Sequence, residues 1–152
     1  MKQFLFLSLI FFGFQFVKAQ SNKIQYDSLL AKKLGADDYG MKSYILAILK
    51  TGTYTAKDKK ESDSLFRGHM NNIGKLASEG KLTVAGPLGK NDNAYRGIFI
   101  LDVKTVEEAR KLCESDPAIK SNLFVVDLYP WYCSAALMEV NKIHETIQKK
   151  SH

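Results

Sequence analysis

Residues 67–87 read RGHMNNIGKLASEGKLTVAGP. The stretch is the second half of an amphipathic helix, a glycine stop, a short strand and a Gly86-Pro87 corner. Phe66, Met70, Ile73 and Ala77 recur at spacings of four, three and four, which makes one apolar stripe with Leu65 and Leu76 beside it. Gly80 ends the helix, because the left-handed closing conformation costs glycine nothing. Toward the N-terminus the pattern predicts a start between Lys57 and Ser62, capped by Thr55 with Asp58 three positions on, or by Ser62. His69 is the one histidine outside the C-terminal tail, and the spacing puts it at the edge of the stripe.

The other elements follow on either side. Met41–Lys50 is a strand with Tyr44, Leu46 and Ile48 on one face and Ile45, Ala47 and Leu49 on the other. Leu82–Ala85 is a second strand, closed by Gly86-Pro87, and Arg96–Val103 a third. Thr105-Val-Glu-Glu108 is a capping box that opens a helix running to about Ser115. Asp116-Pro117 stops it, since the residue before proline resists helical geometry. Asn122–Tyr129 is the fourth strand, and the segment from Pro130 crosses to a helical tail near 140–149. The order βαββαβ predicts an α+β, ferredoxin-like split βαβ fold with a four-stranded antiparallel sheet. Two helices cover one face of such a sheet, yet three strands are apolar on both. The uncovered face is expected to pack on the same face of a second copy in a homodimer. The alternative is that the tail, residues 131–150, folds back over it.

The ends of the chain speak to export. Lys2 precedes the apolar run Phe4–Val17, and Val17-Lys18-Ala19 suits signal-peptidase cleavage after Ala19. The run is shorter than the ~20 residues of a comfortable membrane span. Residues 1–19 are therefore expected to be a signal peptide and 20–40 a linker with one short helical turn. A domain at 41–133 and a helical tail at 134–152 complete the organisation. The mature protein is expected in the periplasm or secreted, with no membrane attachment after cleavage. Without Lys2 and Lys18 the formal charge falls from +6 to +4, and the basic residues are dispersed among acidic ones. That pattern is a solvated surface and excludes a nucleic-acid stripe. An oxidising compartment permits a Cys113–Cys133 disulfide, although Cys113 reads first as a buried small hydrophobe. Neither cysteine has the company that a zinc site needs.

The residues HMNNIGKLASEGKLTVAGP, followed by ESDPAIKSNLF, resemble the YciI-like family of YCII-related domains, over about residues 41–130. The resemblance rests on the His69-to-Gly86-Pro87 spacing and on the later Asp-Pro in the same order. It implies a ferredoxin-like fold that pairs as a dimeric α/β barrel. It also implies an active-site dyad, here His69 and Asp116, acting on a small organic acid or lactone.

A carboxylate that fixes an imidazole tautomer raises its basicity, so such a pair suits acid/base chemistry of isomerase or lyase type. The competing reading is a helix-edge histidine satisfied by backbone or water. Gly86 and Pro87 are a rigid turn or a close backbone approach to a ligand. Tyr44 and Tyr95, with Tyr129 and Trp131, are candidates to line a cleft. Arg96 is placed to hold a carboxylate bidentately. Serine-nucleophile, phosphate-loop and metal motifs are missing, and no cofactor is expected. A non-catalytic small-ligand-binding or structural dimeric module is the alternative to an enzyme.

Overall fold

The structure, a computed structural model, describes residues 25–150. The expected signal peptide lies outside them. None of the described helices is long and apolar enough to cross a membrane.

Four strands, β1 (Met41–Thr51), β2 (Leu82–Pro87), β3 (Tyr95–Leu101) and β4 (Phe124–Ser134), form one antiparallel sheet in the order β2-β3-β1-β4. Helices α2 (Lys59–Ser78) and α3 (Val106–Glu114) are the two crossovers, which makes this the ferredoxin-like βαββαβ fold. A short helix α1 (Ser28–Leu34) precedes it, α4 (Pro117–Lys120) is inserted before β4, and a 3₁₀ turn (Ala135–Glu139) and α5 (Val140–Ile147) follow. Residues 20–40 thus contain a seven-residue helix rather than a single turn. It is capped by Asp27 and closed by Gly35, and Lys33 ties it to Glu139 of the tail at 2.9 Å.

The core lies between the helices and the alternate residues of the sheet. Ile45, Ala47 and Leu49 of β1 pack with Phe99, Leu101 and Phe124, under Leu76, Ala109 and Cys113 from the helices. Both cysteines are free thiols. Cys113 belongs to the core, and burial first, then the nearby Asp116, pushes its thiol up to about 12.

Several boundaries differ from the sequence reading for identifiable reasons. The cap of α2 is Asp58, whose carboxylate accepts from Glu61 N–H at 2.8 Å; neither Thr55 nor Ser62 fills that role. Gly86-Pro87 is no corner but the end of β2, paired with Ile98 and Gly97. Strand β4 runs on through Pro130-Trp131-Tyr132-Cys133 to Ser134, with Pro130 opposite Ile45. Both prolines sit on edge strands, where the missing N–H leaves no ladder bond unmade. Asp116-Pro117 does not simply close α3, whose C-cap is Ser115. It opens α4, with Asp116 as N-cap and Pro117 in the first turn, where a fixed φ is pre-organised for a helix.

The tail leaves the β4 edge and crosses one end of the sheet on the face away from α2 and α3. There Met138 Sδ lies 3.5 Å from Lys42 Nζ. It reaches the opposite edge, where Asn141 Nδ2 donates to the Leu82 carbonyl at 2.7 Å. Tyr44 is buried under this crossing. Leu46, Ile48 and Ile98 of that face stay half-buried.

Candidate functional site

The site is built where α2 approaches α4. His69 lies on the buried stripe of α2 with Asn72 and Leu76, spaced three and four apart. Its ring stacks on Phe99 at 5.8 Å and meets the edge of Phe124 at 5.4 Å. Nδ1 lies 2.6 Å from Asp116 Oδ2, the length of a charge-assisted hydrogen bond. An ionised carboxylate only accepts, so Nδ1 faces it as the donor, and in the neutral form of the ring Nε2 holds the lone pair. Nε2 has no hydrogen-bond partner among the described residues.

Asp116 is fully buried. Its Oδ1 accepts from Ala118 N–H at 2.9 Å, capping α4, while Oδ2 serves the histidine. One carboxylate thus satisfies a helix terminus and fixes an imidazole. Two further details seat it. Asn72 Oδ1, one turn on from His69, accepts from Ser115 Oγ at 3.0 Å. Gly68 leaves room for Pro117, whose Cγ would lie 2.8 Å from a Cβ at that position. Gly68-His69 on one helix and Asp116-Pro117 on the other are therefore a matched pair of dipeptides.

His69 forms part of the wall of a cavity of about 550 Å³ between α2, the sheet and α5. Phe66, Met70 and Ile73 of α2 line it, with Phe99 and Phe124 from the sheet. Here the sequence reading needs correction. Phe66 and Met70 of the stripe face an open cavity, 41% and 39% exposed, while Ile73 lines the cavity and packs against the core. The buried stripe of α2 is the one that carries His69.

Gly86, Pro87 and Arg96 also line the cavity. Gly97, beside Arg96, is packed so tightly on β2 that a Cβ there would sit 2.9 Å from the Gly86 carbonyl oxygen. Tyr44 and Tyr95 are not part of the lining. Tyr44 is on the opposite face of the sheet, 1% exposed, with its hydroxyl donating to the Ser134 carbonyl at 3.2 Å. Burial, with Asp102 and Cys133 nearby, pushes its phenol up to about 12. Tyr95 is pinned at the mouth of β3 by Asn91, which holds both its N–H and its carbonyl. Trp131 and Tyr129 share the face of Tyr44 by strand alternation. Sequence reading missed Phe99 and Phe124, whose contact with the imidazole depends on strand register. It also missed His144, placed in the cavity wall by a helix read only as tail.

No functionally curated protein matches the chain. Among solved structures, the 5-chloro-2-hydroxyhydroquinone dehydrochlorinase TftG from Burkholderia phenoliruptrix AC1100, in complex with 2,5-dihydroxybenzoquinone, is similar at 20% identity and a TM-score of 0.40. That match covers 57% of this chain and 92% of the other. The family model of the YCII-related domain matches residues 41–132, which hold every strand but the last two residues of β4, together with both crossover helices, His69 and Asp116. The chain belongs to the YCII-related family.

Proposed function

We propose that this protein is an exported enzyme that moves a proton on a small organic molecule, with His69 as the acid/base and Asp116 as its partner. The observation that carries the reading is the 2.6 Å contact between a fully buried carboxylate and an imidazole that lines a cavity. Nε2 takes a proton from a carbon next to a carbonyl or carboxyl group, and the electron pair left behind shifts onto that oxygen. Asp116 holds the resulting imidazolium through Nδ1–H. The proton returns to a neighbouring carbon in an isomerisation, or the electron pair expels a leaving group in a lyase reaction. A positioned general base contributes roughly 10²–10⁴ in rate. The apolar stripe on the sheet face away from the helices, Leu46, Ile48 and Ile98, supports pairing of two copies through that face. The signal-like residues 1–19 support export.

The test works before any substrate is identified. Small carboxylic acids, lactones and cyclic ketones are incubated with the mature protein in D₂O, and solvent deuterium entering C–H positions is followed by NMR. Exchange that falls at least a hundredfold in His69→Ala and in Asp116→Asn is the expected result. Exchange that survives His69→Ala refutes the assignment. Tight binding without any exchange favours a ligand-binding module, a reading supported by the apolar character of the cavity walls.

A further inference from the structure

Helix α5 lies outside the residues matched by the family model, yet it forms one wall of the cavity with Val140, Asn141 and His144. It is fixed there by the 2.7 Å bond from Asn141 Nδ2 to the Leu82 carbonyl on the outer edge of β2. Arg96 is the one permanently charged side chain of the lining, which also holds the imidazoles of His144 and His69 and no carboxylate. Arg96 and His144 are exposed, so they stand where the cavity opens, whereas His69 is buried deeper in its wall. Arg96 has no acidic partner within salt-bridge distance among the described residues. A guanidinium without a partner at the mouth of an apolar cavity favours an anion that brings its own hydrophobic body. Cavities of this size hold drug-sized molecules.

We infer that the C-terminal helix completes the ligand site. His144 and Arg96 together hold the carboxylate of an organic acid, and its ring or branched apolar body lies against Phe66, Met70 and Phe99. The inference rests on the proposed reading of this cavity as the place where ligand meets His69. It adds the substrate class and a recognition residue on a segment outside the residues that the family model matches.

The probe is 2-naphthoate, compared with its neutral analogue 2-naphthalenemethanol, each titrated into the full mature chain and followed by ligand-observed NMR. The wild type is expected to bind the carboxylate about tenfold more tightly than the alcohol, the value of one charge-assisted contact. Arg96→Gln and His144→Gln should each remove most of that preference and leave the affinity for the alcohol unchanged. Both side chains are exposed, so both variants should fold. Val140→Trp, which fills the cavity beside α5, should weaken both compounds. Equal binding of acid and alcohol, a preference that ignores His144→Gln, binding that ignores Val140→Trp, or no binding of either compound at millimolar concentration would each overturn the inference. A carboxylate preference that depends on Arg96 and His144 in a protein that exchanges no protons upholds it, and places the failure with the acid/base reading instead.

Discussion

Replacing Gly68 by alanine tests how the imidazole and the carboxylate are brought together. A Cβ at this position would lie 2.8 Å from Pro117 Cγ and 3.2 Å from Pro117 Cβ. Both are atoms of a stiff ring, so the ring must retreat by about 0.6 Å to restore an ordinary 3.4 Å contact. Asp116 precedes Pro117 directly. The same retreat stretches the His69–Asp116 bond from 2.6 Å toward about 3.2 Å, past the charge-assisted range. Overpacking costs roughly 1–3 kcal/mol, and the weakened bond about 1 kcal/mol more. Better helix propensity returns up to about 1 kcal/mol. The net loss is about 1–3 kcal/mol. Gly74, on the same helix with nothing within 4 Å of its added Cβ, supplies the control. Gly74→Ala should gain roughly 0.5–1 kcal/mol from propensity alone. Urea unfolding gives the two values, and the NMR resonance of the proton on His69 Nδ1 reports the bond. If Gly68→Ala is stabilised as much as Gly74→Ala and that resonance does not move, the close approach of α4 does not seat the pair.

Asp116→Ser should keep α4 capped, because serine caps nearly as well as aspartate, but should cost the imidazole its partner. Stability measured by thermal unfolding should then fall by only about 1–2 kcal/mol, while deuterium exchange falls toward the level of His69→Ala. The Cys113 thiol has its folded value raised from 9.0 to about 12, so above pH 9 the unfolded chain gives up a proton that the native state keeps. Stability should therefore decline as pH rises from about 9 to 12, less so in Cys113→Ala, and the native thiol should resist alkylation until the protein opens. Ile48→Lys, on the sheet face away from the helices, should leave the fold intact and convert a dimer to a monomer in size-exclusion chromatography with light scattering. A wild type that is already monomeric would refute pairing through that face.

The fold was legible because it depends on periodicities that sequence carries openly. Alternation in β1, the stop at Gly80 and the Thr105 cap on the Glu108 N–H are local, and all three stand in the structure, although the Glu108 carboxylate returns to the Lys104 N–H rather than to that of Thr105. What sequence could not supply was the meaning of a stripe. Phe66, Met70 and Ile73 have the spacing of a buried face, and a residue that faces an open cavity has the same chemistry as one that faces core. Only the packing of α5 and the sheet around them decides between the two. Proline misled for a related reason. Pro87 and Pro130 end a strand in a central position but are tolerated on an edge, and strand order is a property of the assembled sheet. Tyr44 has a polar tip suited to a ligand, and nothing local says that the tail will bury it.

Asp116 shows why the site residues were easier to name than to place. A helix cap requires one oxygen, and serine or threonine would supply it without burying a charge. A fully buried carboxylate is costly unless every oxygen is engaged. Here both are, one by the Ala118 N–H and one by the imidazole. The cap explains the first oxygen and the position of the residue at the start of α4. It leaves the second unexplained, and the imidazole that engages it is the one set in the wall of the cavity. The cost of burial is thus offset by a contact whose other end is an imidazole with its second nitrogen unpaired among the described residues. A carboxylate retained only to start a four-residue helix would not need that second partner, which is why the pair, rather than either residue alone, carries the functional reading.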